Sequence, residues 1–253
     1  MNVLVIFGSA SDSSDYEPVV RSLKESGVSV ELRLLSAHRT PKEVDELPFD
    51  SYDAIIAGAG LAAHLPGVVA ARAVCPVFGI PCVGAYEGLD SFLSIAQMPP
   101  GIPVLATGIG RQTEATNAVL MMQKGLGGIS LCYSKKSKAV EKAIEILQQF
   151  KVNYDENIAP SSGFVNISFV DEYSDLKTGG ITIFCPISDK TSASDALEWF
   201  EKSSKGLWVG QNRGENAALA AIQLLGKNKD DLKKYKEGMR LKVLETDQKL
   251  RYG

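Results

Sequence analysis

Short runs of apolar residues constrain this fold most: Val3–Phe7, Val30–Leu35, Ala54–Ala57, Val77–Ile80 and Val104–Ala106. Helix-like segments such as Tyr16–Ser26 and Leu61–Ala73 lie between them. A strand that is apolar at successive positions is buried on both faces. Strands of that kind alternating with helices predict an α/β chain with a parallel sheet covered on both sides. The first and third runs end in Gly8-Ser9-Ala10-Ser11-Asp12 and Gly58-Ala59-Gly60, each before a helix. Ligands of such sheets bind at the carboxyl ends of strands, so both loops are placed for chemistry.

The pattern restarts. Ile129–Tyr133 reads as a new first strand, Val140–Phe150 as an amphipathic helix, Lys151–Asp155 as a strand, and Ile181–Phe184 resembles Ala54–Ala57. Thr116–Leu120 parallels Glu215–Leu219. Residues 1–126 are expected to form one unit and 127–253 a degenerate repeat. The repeat is shorter by about 27 residues, in the region matching the helix and strand after Gly60. Asp230–Leu250 carries Leu232, Tyr235, Met239, Val243 and Leu250 on helical spacing and predicts one long amphipathic helix.

Composition excludes several classes. With 27 basic and 30 acidic residues the chain has no basic footprint for nucleic acid. Gly67–Tyr86 is nearly long enough to span a membrane, but Pro76 and Pro81 break it, and a buried helix followed by a buried strand is expected. The four cysteines have no Cys-x-x-Cys spacing, and there are only two histidines, so no metal site is expected. Free thiols and the lack of a signal-like start suggest the cytoplasm.

Four segments carry candidate chemistry. Gly8–Asp12 offers small residues and hydroxyls for a phosphate, or simply a helix N-cap. Ser36-Ala37-His38-Arg39-Thr40-Pro41 sets an acid/base group beside an anion anchor, or is a surface histidine before a helix start. Gly58-Ala59-Gly60 through His64-Leu65-Pro66-Gly67 lets the backbone approach a flat ligand, with Pro66-Gly67 interrupting the helix. It lacks the third glycine and acidic residue of a dinucleotide site. Gln97–Pro103 is a rigid proline-rich loop suited to shaping a pocket.

In this order the four segments resemble the family of N5-carboxyaminoimidazole ribonucleotide mutases and aminoimidazole ribonucleotide carboxylases, and their wording resembles the bacterial-type mutase branch. The likeness covers about residues 1–125. It implies a three-layer flavodoxin-like fold, no organic cofactor and no metal. It also implies a homo-oligomer, an octamer or a tetramer of duplicated chains. Ser9, Ser11, Asp12 and Arg39 would hold the ribonucleotide's phosphate and ribose, and Ser36 with Gly58, Ala59 and Gly60 would line the base pocket. His38 would be the acid/base group, with His64 at the pocket edge near trapped carbon dioxide. The alternatives are direct carboxylation with free carbon dioxide, a non-catalytic nucleotide-binding relative, and carboxylation of a different nucleotide. Leu61 stands where the family pattern has glycine. The second unit has no histidine and is expected to be inactive.

Overall fold

The computed structural model describes residues 1–189 and 191–252, the last by its backbone alone. Ten strands form one sheet: β1 Asn2–Phe7, β2 Ser29–Leu34, β3 Ala54–Ala59, β4 Val77–Pro81, β5 Leu105–Ala106, β6 Ile129–Cys132, β7 Tyr154–Asn157, β8 Val165–Val170, β9 Ile181–Pro186 and β10 Leu207–Trp208. The helices are α1 Ser13–Glu25, α2 Pro41–Asp45, α3 Leu65–Arg72, α4 Leu89–Ala96, α5 Gln112–Lys124, α6 Lys138–Gln149, α7 Ala193–Lys202, α8 Gly214–Leu224 and α9 Lys229–Tyr252.

The sheet runs β2-β1-β3-β4-β5-β10-β9-β8-β6-β7. The first five strands follow the flavodoxin-like order, and the last five repeat it from the far edge inward, so the two orders meet at the centre. Every pair is parallel except β5 with β10, which meet antiparallel at Ala106 and Trp208. Around this seam the two sides lean on each other alike. A Cβ on Gly108 would strike the Ser203 carbonyl at the end of α7, and one on Gly210 would press on the Ala96 carbonyl at the end of α4. Phe92 of α4 and Phe200 of α7 pack with ring centroids 5.7 Å apart.

The predicted alternation is realised in residues 1–124. Val3, Val5 and Phe7 of β1 pack toward α1 and α5, while Leu4 and Ile6 pack toward α2, α3 and α4. From β6 onward one face keeps this character throughout and the other only in part. Leu131, Ile167, Phe169 and Ile183 pack toward α6 and α8. The alternate positions divide: Ser130, Asn166, Ser168 and Thr182 are buried but polar, whereas Val170 and Phe184 join an apolar cluster with Trp199 of α7 and Trp208 of β10. The links 158–164 and 171–180 contain no helix, so helical cover on this second face comes from α7, whose Trp199 packs by Trp208 of β10. Asn166 ties the two links together with hydrogen bonds. Its Nδ2 donates to the carbonyls of Ser161 (2.9 Å) and Gly179 (2.5 Å), and its Oδ1 accepts from Ser161 N (2.8 Å).

The same links correct the repeat's alignment. Ile181–Phe184 belongs to β9, which is paired like β4, and β8 holds the position of β3. The missing residues therefore correspond to α2 and α3, with no strand lost. The expected strand at Lys151–Asp155 begins instead at Tyr154, because Lys151 turns the chain with φ 54°. The expected helix from Leu61 begins at Leu65, because Leu61 is left-handed with φ 56°. Pro66 lies in the first turn of α3, where a missing N–H costs nothing, so Pro66-Gly67 does not interrupt a helix. The apolar stretch from Gly67 divides into α3 and β4 as expected. Among the described residues no helix is long and apolar enough to cross a membrane.

Candidate active site

The carboxyl ends of β1, β2 and β3 converge where the strand order reverses. Gly8 N donates to the Gly58 carbonyl (3.2 Å) and Leu35 N to the Phe7 carbonyl (2.9 Å), which ties the three exits together. After β1, Ser9 caps a short 3-10 turn, and its Oγ accepts from Ser11 N (3.3 Å) and Ser11 Oγ (2.8 Å). Asp12 ends that turn. Partial burial raises its carboxyl above the usual 3.8, against the opposing pull of Ser11 and Arg39.

After β2, residues 36–40 close a tight turn. Ser36 N donates to Thr40 Oγ1 (2.8 Å), and Ser36 Oγ accepts from Arg39 N (3.3 Å). The turn leaves His38 and Arg39 exposed. Arg39 Nη2 donates to the Gly8 carbonyl (2.7 Å), so its guanidinium bridges the first two loops beside Asp12.

After β3, Gly58 has a packing reason for being glycine: a Cβ there would lie 2.0 Å from the Phe7 ring. Gly60 faces Cys82 at ordinary contact distance. His64 is the N-cap of α3, and its side chain makes no capping bond. The ring turns to the second loop, where His38 Nε2 and His64 Nδ1 lie 2.8 Å apart with ring planes at 72°. A contact this short needs one N–H and one lone pair, so a single proton lies between the rings. Two exposed imidazoles joined by a hydrogen bond at the strand ends have the geometry to pass a proton from one ring to the other.

The sequence reading did not pick out Asp15, although it lies one turn beyond Asp12 on α1, a spacing that puts both on one face. Burial raises its carboxyl, and neighbouring Asp12 adds to the rise. The loop after β4 was also missed. It carries Val83 and Tyr86, 69% and 79% exposed, with Tyr86 and Glu87 both left-handed. Gly84 in that loop lies against the Leu61 side chain. The proline-rich loop is taken up by the other half of the chain. Gly101 N donates to Asn216 Oδ1 (2.7 Å), and Asn216 Nδ2 donates to the Pro99 carbonyl (3.0 Å). Its Met98 lies against Gly67 in α3.

A cavity of about 340 Å³ opens at the amino ends of the strands, lined by Met1, Cys75, Gln123, Gln223 and Lys229 among others. It contains neither histidine nor any signature segment, so the histidine pair at the strand ends is the better candidate. Among the described residues no cluster of histidine, cysteine and carboxylate side chains is arranged to hold a metal ion.

Fold and strand-end loops together define a flavodoxin-like α/β protein with a paired histidine and a loop-bridging arginine at the strand ends. The AIR carboxylase family model matches residues 2–130, and the chain belongs to that family. The N5-carboxyaminoimidazole ribonucleotide mutase of Methanocaldococcus jannaschii is 43% identical over 150 residues, 59% of this chain and 90% of that protein. The mutase of Mycobacterium leprae is 45% identical over 132 residues, 50% of this chain and 75% of that protein. The phosphoribosylaminoimidazole carboxylase of Candida albicans is 45% identical over 128 residues, 49% of this chain but 22% of that protein.

Proposed function

We propose that this chain converts N5-carboxyaminoimidazole ribonucleotide into 4-carboxy-5-aminoimidazole ribonucleotide in purine biosynthesis. The observation that carries the reading is the 2.8 Å pairing of His38 Nε2 with His64 Nδ1 inside the segments that match the family. The substrate's N-carboxylate leaves as carbon dioxide, and the ring becomes an electron-rich aminoimidazole. Carbon dioxide held in the cleft adds at ring carbon 4. The His38–His64 pair gives a proton to the ring's exocyclic nitrogen as carbon dioxide leaves, and His38 takes back the proton that carbon 4 sheds, so the pair ends as it began. Ser9, Ser11, Asp12 and Arg39 hold the phosphate and ribose, and Ser36 with the Gly58-Ala59-Gly60 backbone lines the base pocket. Proximity and one proton shuttle supply the catalysis. Free buried cysteines suit a reducing cytoplasm.

Residues 127–253 form, in this reading, a degenerate repeat that no longer catalyses. Its support is the repeated strand order, together with the loss of the two connections that carry His38 and His64 in the first unit. The long apolar-striped α9 and the exposed Leu61, Val83 and Tyr86 suit a homo-oligomer.

The test is turnover of the N-carboxylated ribonucleotide against turnover of aminoimidazole ribonucleotide with added bicarbonate. The mutase reading expects the first to proceed without bicarbonate. Turnover of the second substrate alone would make the chain a direct carboxylase, and turnover of neither would overturn an enzymatic role.

A further inference from the structure

Helix α9 belongs to the last part of the chain but grips the first. Lys229, Lys233 and Lys236 share one helical face. Lys229 Nζ lies 4.0 Å from Asp53 Oδ1, and Lys233 Nζ lies 2.9 Å from Asp50 Oδ2. The third lysine does something different. Lys236 Nζ donates to the Ala70 carbonyl (2.5 Å) and, closer still, to the Ala73 carbonyl. These carbonyls lie at the carboxyl end of α3, where backbone acceptors lack helical partners and the helix dipole favours a cation.

Helix α3 has eight residues, and its N-cap is His64. A rise of 1.5 Å per residue makes it a strut of about 12 Å with Lys236 at one end and the histidine pair at the other. Its other ties are Arg72 to Asp45, the buried Leu65 and Val69, and Met98 against Gly67. We infer that Lys236 is a positioning residue: by holding the carboxyl end of α3 it sets where His64 meets His38. The inference about kinetics rests on the proposed mutase reading, whereas the inference about geometry does not.

The placement is costly, which argues for a purpose. Burial pulls the Lys236 ammonium down to about 8, with only the Cys75 thiol opposing. Below that value the ammonium is charged in both folded and unfolded chains, so the folded state bears the full desolvation cost at neutral pH. An alkyl side chain of similar length would avoid that cost. Asp53 and Lys229 are the further charged groups acting on Cys75 beside it.

The test uses the fact that the chain has only two histidines, both in the pair. Nitrogen–proton correlations of the imidazoles therefore report the contact with no other histidine signals. Three variants are compared with the wild type: Lys236→Met, Lys236→Arg, and Lys233→Met as a neighbour that grips Asp50 without touching α3. The expected result is altered imidazole correlations in Lys236→Met and a kcat lower by roughly tenfold to a hundredfold, with KM within about twofold. Lys236→Arg, which keeps donors and charge, is expected to recover most of both. Lys233→Met is expected to resemble the wild type in both. Unchanged imidazole signals in Lys236→Met would overturn the inference, as would equal losses in Lys236→Met and Lys233→Met. If Lys236→Met does not fold, a wild-type imidazole spectrum and a low kcat in Lys236→Arg would overturn it. Altered imidazole signals in a protein whose wild type turns over neither ribonucleotide would instead sink the mutase reading and leave the coupling standing.

Discussion

Replacing Leu61 tests the left-handed backbone at the mouth of the site. With φ 56° its Cβ crowds its own backbone, a cost of about 1–2 kcal/mol for an L residue. Glycine removes that cost but returns about 0.5–1 kcal/mol through a freer unfolded chain. The side chain is 60% exposed, so its buried part contributes only about 1 kcal/mol of the roughly 1.5–3 kcal/mol available to a fully buried leucine. Leu61→Gly should therefore be close to the wild type in stability. Leu61→Ala loses the same packing, keeps the backbone cost, and should fall about 1 kcal/mol below. The two variants should differ by about 0.5–1 kcal/mol in favour of glycine, the reverse of the usual order in helices. For a chain of this size that is a midpoint difference of roughly 1–4 °C, readable by thermal unfolding alongside denaturant titration. An alanine variant as stable as the glycine variant, or more so, would refute the left-handed assignment.

Asp12→Asn should stabilise the empty protein at neutral pH while raising KM for the ribonucleotide. The folded carboxyl titrates above its unfolded value, so the penalty on its charged form is complete above the folded pKa. It disappears as pH falls through the unfolded value of 3.8, and the stability difference between variant and wild type should close over the same interval, as urea titrations at several pH values will reveal. Asn166→Ala should cost about 1–3 kcal/mol, because it strips partners from half-buried carbonyls in both helix-free links, and hydrogen exchange should quicken first in 158–164 and 171–180. A loss confined to one link would contradict its role in joining them.

The first half of the fold was legible because burial on both faces leaves strands apolar throughout. Val3–Phe7 and Ala54–Ala57 cannot read as much else. The second half was harder for a physical reason. Where the links on either side of it hold no helix, β8 alternates Val165, Ile167 and Phe169 with Asn166 and Ser168, and the continuous signal vanishes. The site was legible as loops because small and polar residues follow strands at Gly8, Ser36 and Gly58. The meeting of His38 with His64 was not legible, since the residues are 26 apart and the approach depends on where α3 begins. Gly58 shows a related difficulty. Its glycine read as room for a ligand, and the room it makes for the Phe7 ring gave no local signal. Lys236 gave no signal, because the carbonyls it holds are more than 160 residues away in the chain.

The central claim is that His38 moves the proton while the rest of the cleft holds the ribonucleotide. The measurement that tests it most directly is turnover of His38→Asn beside its calorimetric affinity for the ribonucleotide. Loss of a general acid/base group predicts a rate lower by about 10²–10⁴-fold, with affinity within a few-fold of the wild type. Wild-type-like turnover in that variant would contradict the claim.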